Sequence, residues 1–121
     1  MPGKVYYNKL VRDNIPDVIR AKGSQCEVRT LEPAEYEREL LKKVEEEATA
    51  FPGLTSKEDL TKELADLVDV LHEVKKVFGI TDDEVQAAQE AALAKKGGFE
   101  KRVFLVWSSD DGYKTNEKRN S

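Results

Sequence analysis

Cysteine is almost missing from this chain. Cys26 is the only one, so no disulfide can form within the chain, and a reducing, cytoplasmic setting is the expected one. Nothing near Cys26 marks it as a nucleophile, and a small half-buried side chain is its expected role. Long apolar runs are missing too: none exceeds a handful of residues, far short of a bilayer span. The opening stretch "MPGKVYYNKLVRDN" lacks the apolar segment of a secretory signal. There is no excess of positive charge, because 20 Lys and Arg stand against 24 Asp and Glu for a net charge of -4. That balance argues against a binder of nucleic-acid polymers. Internal repeats and low-complexity linkers are also lacking, and 121 residues are enough for one domain with a real core.

Helical patterning is what the chain has in quantity. "RDNIPDVIRAKG" reads as a short first helix with Pro16 in its opening turn and Gly23 closing it. Pro33 opens a longer helix, "PAEYERELLKKVEEEATAF", which Pro52-Gly53 ends. Thr55 and Glu58 have the spacing of a capping box ahead of a third helix that Gly79 stops. Thr81 and Glu84 repeat that spacing ahead of a fourth helix, which runs to Gly97-Gly98. "CEVRTL" and "KRVFLVW" alternate or concentrate apolar residues and predict two short strands that pair with each other. The expected fold is therefore mainly all-α: an antiparallel bundle of about four helices with a minor two-stranded β element. The domain is expected to span residues 1–107, followed by a polar tail over 108–121. A short turn joins the two central helices, which makes them antiparallel neighbours.

The acidic stretch Glu45-Glu46-Glu47 is the most informative local feature. Successive helical residues turn by roughly 100°, so Leu40, Leu41, Val44, Ala48 and Phe51 share one apolar stripe. Glu45 and Glu46 point to its flanks, and Glu47 lies at its edge, aimed at the core. On the third helix, Leu64, Leu67, Leu71, Val74 and Phe78 form the main apolar face. Glu63, Asp66 and Glu73 line its adjoining edge with Val70 and Val77, and Asp69 falls one step further round. His72 lies opposite these carboxylates and is expected at the surface. Carboxylates bordering an apolar seam carry a desolvation cost that a hard divalent cation relieves, since Mg²⁺ takes oxygen ligands and retains water. Glu63 and Asp66, three apart, reach one ion from a single helix face. Pattern alone leaves a second reading open: a solvated acidic face, with Glu47 paired to Lys43.

"YNKLVRDNIP", "ELADLVDVL" and "GGFEKRVFL", in that order, resemble the all-α NTP pyrophosphatase superfamily, in particular its small MazG-like, phosphoribosyl-ATP pyrophosphohydrolase-like branch of house-cleaning nucleotide pyrophosphatases. The resemblance covers roughly residues 6 to 105 and implies a Mg²⁺-dependent hydrolase acting on a nucleotide. Its metal pattern, EExxE followed by ExxD, falls on Glu46 and Glu47 and on Glu63 and Asp66. The last Glu of EExxE is replaced by Ala50, which leaves the site one carboxylate short. By the same resemblance Lys9, Arg12 and Asp13 form the N-terminal phosphate-neutralising motif, although its usual Lys after "RD" is Asn14 here. An Arg12–Asp13 ion pair that anchors the first helix is the plainer reading of that dipeptide. Lys95 and Lys96 are further candidates for phosphate, or simply a basic pair opposing a helix dipole. Family members assemble as dimers or larger oligomers, so a homodimer or tetramer is expected. A catalytically weakened nucleotide-binding protein is the alternative that Ala50 favours.

Overall fold

A computed structural model describes residues 3–109. Among them are four α-helices and one short 3₁₀ turn: α1 Ile15–Ala21, α2 Pro33–Thr49, the turn Phe51–Gly53, α3 Lys57–Phe78 and α4 Asp82–Lys96. The all-α class expected from the patterning is what the chain adopts. No strand occurs among the described residues, so neither "CEVRTL" nor "KRVFLVW" is a β element. The reason is physical: alternation supplies a face for a strand but no partner for its backbone, and an isolated two-stranded ribbon is marginal in water. Residues 110–121, most of the polar tail, lie outside the described residues.

The helix ends follow local chemistry closely. Pro33 opens α2, where a missing N–H costs nothing. The helix ends at Thr49, with Ala50 as its C-cap, just before the turn that contains Pro52. α3 is capped by Ser56, whose hydroxyl accepts from the Asp59 amide at 3.1 Å. The expected Thr55–Glu58 box is therefore one residue out of register, because Ser56 takes the N-cap position itself. Gly79 ends α3 in the left-handed conformation, φ 65°, which a residue with a Cβ adopts only under strain. The Thr81–Glu84 box forms as expected: Glu84 N–H donates to the Thr81 hydroxyl, and Thr81 N–H donates to the Glu84 carboxylate, both at 3.1 Å.

The chain divides into two compact units, Met1–Glu84 and Val85–Ser121. In the first, α2 packs against α3 after the short connection at residues 50–56, giving an antiparallel hairpin. Leu40 lies at its centre, only 2% exposed, and is the one fully buried apolar residue among those described. Val44 of α2 and Phe51 of the 3₁₀ turn are half-buried, whereas Leu41 and Ala48 are exposed.

α3 turns a different face to its partner than apolar patterning predicts. Its half-buried residues are Glu63, Asp66, Leu67, Val70, Glu73, Val74, Lys75 and Val77, that is, the expected acidic edge together with Leu67 and Val74 of the expected apolar face. Leu64, Leu71 and Phe78, expected in the core, stay 54%, 42% and 41% exposed. Together with Leu60 and Val68 they form an open apolar ridge, turned by roughly 100° from the seam. The seam admits the acidic edge because polar partners meet it there: the Tyr36 hydroxyl donates to Glu73 at 2.9 Å, and Lys43 and Glu47 of α2 face it.

Candidate metal-binding and phosphate site

Antiparallel pairing brings the end of α2 beside the first half of α3. Glu47, Glu63 and Asp66 come together there, each half-buried and each offering a carboxylate oxygen, with the three oxygens within 4.8 Å of one another. Helical geometry singled out Glu47 on α2 and grouped Glu63 and Asp66 with Glu73 on α3, and the tertiary structure brings the first three to one place. Oxygens on opposite sides of a bound Mg²⁺ are about 4.2 Å apart, and around Ca²⁺ about 4.6–5.2 Å. The spacing of this donor set is thus on the scale of either ion's coordination shell, and three hard carboxylate oxygens suit either. Glu63 makes no ion pair among the described residues.

The other two carboxylates already face cations. Lys43 lies 3.5 Å from both Glu47 and Glu46, with its side chain 15% exposed and that of Glu47 16% exposed. The pairing of Glu47 with Lys43 that sequence spacing allows is therefore present, alongside the convergence on Glu63 and Asp66. Glu46 stands outside the trio and accepts from Lys9 at 2.8 Å. That hydrogen bond holds the Glu46 carboxyl below the ordinary range, against the opposing effect of partial burial, and it raises the Lys9 ammonium in turn. The Lys9 ammonium also sits 5.7 Å from the centre of the Tyr7 ring.

Arg12 spans from the N-terminal segment to α3. One of its guanidinium nitrogens donates to Asp66 and to Asp69, both at 2.9 Å. The two bonds, the one to Asp69 first, raise the guanidinium's affinity for its proton, so it is a permanent cation at this position. Arg12 thus pairs across to α3, and the alternative Arg12–Asp13 pair does not form, because Asp66 and Asp69 offer two carboxylates on one helix face. Asp69, which sequence spacing marks only as an outer group, is one of the two residues that fix Arg12. Its signal was legible as the i+3 repeat after Asp66, but the partner was not.

Two further residues are settled by contacts that spacing does not show. Glu73 is tied to the Tyr36 hydroxyl and stays apart from the cluster. Tyr36, which burial and then Glu73 push up to about 12, remains a neutral donor. His72 is exposed, as expected. Ala50, where the metal pattern calls for a carboxylate, is exposed at the C-cap of α2 and offers no ligand. Lys95 and Lys96 belong to the second unit, in the last turn of α4, where the helix dipole favours them. Among the described residues no helix is long and apolar enough to cross a membrane.

Comparisons with protein-family models, with curated proteins and with solved structures give no significant match.

Proposed function

We propose that this chain is a Mg²⁺-dependent nucleotide pyrophosphohydrolase that cleaves a nucleoside triphosphate or related nucleotide into a monophosphate and pyrophosphate. The observation that carries this reading is the convergence of Glu47, Glu63 and Asp66 within 4.8 Å beside the cations of the N-terminal segment. A divalent ion held there supplies charge neutralisation at the phosphates and a bound water of lowered pKa. The chain's own part is to place that ion. Glu63 and Asp66 approach from one face of α3 and Glu47 from α2, and the hairpin seam fixes their separation. Lys9 and Arg12 stand beside the trio, where a polyphosphate with its dispersed negative charge finds two donors suited to it. Asp13 closes that segment next to Arg12, and Glu46 holds Lys9 in place.

The chain is also proposed to work as a homo-oligomer in the cytoplasm, the partner being a second copy seated on the open ridge of α3. Leu60, Leu64, Val68, Leu71 and Phe78 spread over 19 residues, about 27 Å of helix. Their spacing is nearly symmetrical about the middle of that span. An antiparallel pairing of the ridge with its own copy about position 69 sets Leu60 opposite Phe78 and Val68 near Leu71, as a self-complementary two-fold interface requires.

One observation favours a second reading, a nucleotide-binding protein of low turnover: Ala50 offers no carboxylate at the position where the resemblance expects a ligand. Pyrophosphate release from a panel of standard and damaged nucleoside triphosphates, with and without Mg²⁺ and with Glu63→Gln in parallel, separates the two. Metal-dependent release that Glu63→Gln abolishes establishes the hydrolase. Tight nucleotide binding without release by a folded sample selects the binding protein.

A further inference from the structure

The N-terminal residues 3–14 contain no helix or strand and are exposed nearly throughout. Leu10 is half-buried, and among the described residues three charge-assisted bonds tie the segment's side chains to the hairpin: Lys9 to Glu46 on α2, and Arg12 to Asp66 and Asp69 on α3. All three lie on or beside the carboxylate cluster, and one uses a member of the trio itself. Asp66 is thus claimed twice, by Arg12 and by the arrangement that suits a divalent ion. Asp69 is claimed once, because it lies outside the trio. Lys43 has the same double relation to Glu47 and Glu46. The carboxylates are therefore compensated by side-chain cations placed where a divalent ion would also compensate them.

We infer that residues 3–14 form a strap which the divalent ion loosens. Arg12 acts as a stand-in charge on Asp66, and an incoming ion displaces it onto Asp69, freeing for phosphate the N–H that Asp66 accepts and loosening the segment that also carries Lys9. The inference rests on the trio being a divalent-cation site, and it goes beyond that reading by coupling ion binding to the position of the strap. Its logic is linkage. A +2 ion and the Arg12 guanidinium compete for one carboxylate, so each weakens the hold of the other by the same factor. Asp69 keeps the displaced guanidinium within reach of the site, as a positioning residue. Ordering follows from the same charges: the ion must load before the strap's cations are available, and the polyphosphate then collects both.

The size of the effect follows from Coulomb's law. Arg12 is 57% exposed, so a solvent-like dielectric applies. A +2 ion roughly 5 Å from its charge is then disfavoured by about tenfold at low ionic strength, and by less in salt.

The test uses the full chain and Mg²⁺ alone, with no nucleotide. Calorimetric titration compares the unaltered chain, Arg12→Gln, Arg12→Lys and Glu63→Gln, with helicity checked by circular dichroism. In parallel, trypsin cleavage after Lys9 is timed with and without saturating Mg²⁺, and cleavage after Lys101 in the second unit serves as the internal control. The expected result is roughly tenfold tighter Mg²⁺ binding by Arg12→Gln, with Arg12→Lys nearer the unaltered chain. Mg²⁺ should also speed cleavage after Lys9 several-fold in the unaltered chain and leave it unchanged in Glu63→Gln. Equal or weaker binding by Arg12→Gln, or a cleavage rate that Mg²⁺ does not move, overturns the strap while the metal site stands. Absence of Mg²⁺ binding by the unaltered chain overturns the site reading itself, and the strap with it.

Discussion

Replacing Leu71 by alanine tests whether the open ridge of α3 is an interface between copies. Leu71 is 42% exposed within the chain and lies away from Glu63 and Asp66. Fully burying a leucine side chain stabilises by about 1.5–3 kcal/mol, so covering the part still exposed contributes about 0.6–1.3 kcal/mol per copy. A two-fold interface contains the residue twice, which gives about 1.2–2.5 kcal/mol, or roughly ten- to sixty-fold in the dissociation constant. Alanine has the highest helix propensity, so the monomer keeps its helix content, while the part of Leu71 already covered within the chain adds a separate cost to monomer stability that denaturation reads. Leu71→Glu adds a carboxylate to the same position and is expected to abolish assembly. Sedimentation equilibrium over a wide concentration range, with circular dichroism as the folding check, reads both variants. A chain that is monomeric throughout that range, or whose association neither variant weakens, refutes the assignment of the ridge to a second copy.

Leu40→Ala is expected to cost about 2–5 kcal/mol, because it removes the one fully buried side chain of the hairpin; chemical denaturation that shows less than about 1 kcal/mol would place the core elsewhere. Tyr36 is neutral below its ordinary pKa of 10.0 and is raised to about 12 in the folded chain, first by burial and then by Glu73. The stability linked to this group is thus fully present below pH 10 and is lost as pH rises from there towards 12. Tyr36→Phe should remove that alkaline dependence, seen by denaturation at a series of pH values, and should cost about 1–2 kcal/mol at neutral pH by leaving Glu73 without its donor. Ala50→Glu places a carboxylate at the C-cap of α2, three residues after Glu47. It is expected to lower the melting temperature without metal, through a dipole cost of about 0.3–1 kcal/mol, and to enlarge the upward shift that Mg²⁺ produces. A Mg²⁺ shift equal to that of the unaltered chain would show that position 50 does not reach the cluster.

Local rules made much of this legible in the sequence. Pro33, Gly79, the Thr81–Glu84 box and the short connection at 50–56 punctuate the helices, and each acts through neighbours a few residues away. The 100° advance per residue likewise singled out Glu47 from its two neighbours and placed Glu63 with Asp66, because side-chain direction along one helix is a property of the backbone. What lay beyond these rules was which face of α3 meets α2. Hydrophobicity alone favours the face carrying Leu64, Leu71 and Phe78. The hairpin instead closes on the acidic edge, where Tyr36 and Lys43 satisfy Glu73 and Glu47. The pairing of Arg12 with Asp66 and Asp69 spans more than fifty positions and depends on where an irregular segment crosses the hairpin. The missing strands teach the same lesson, since a strand exists only through a partner. Sequence by itself determined the helices and which carboxylates share a face. Only the tertiary structure decided which face is covered and which cations stand on the acids, because both depend on contacts between segments whose separation no local pattern encodes.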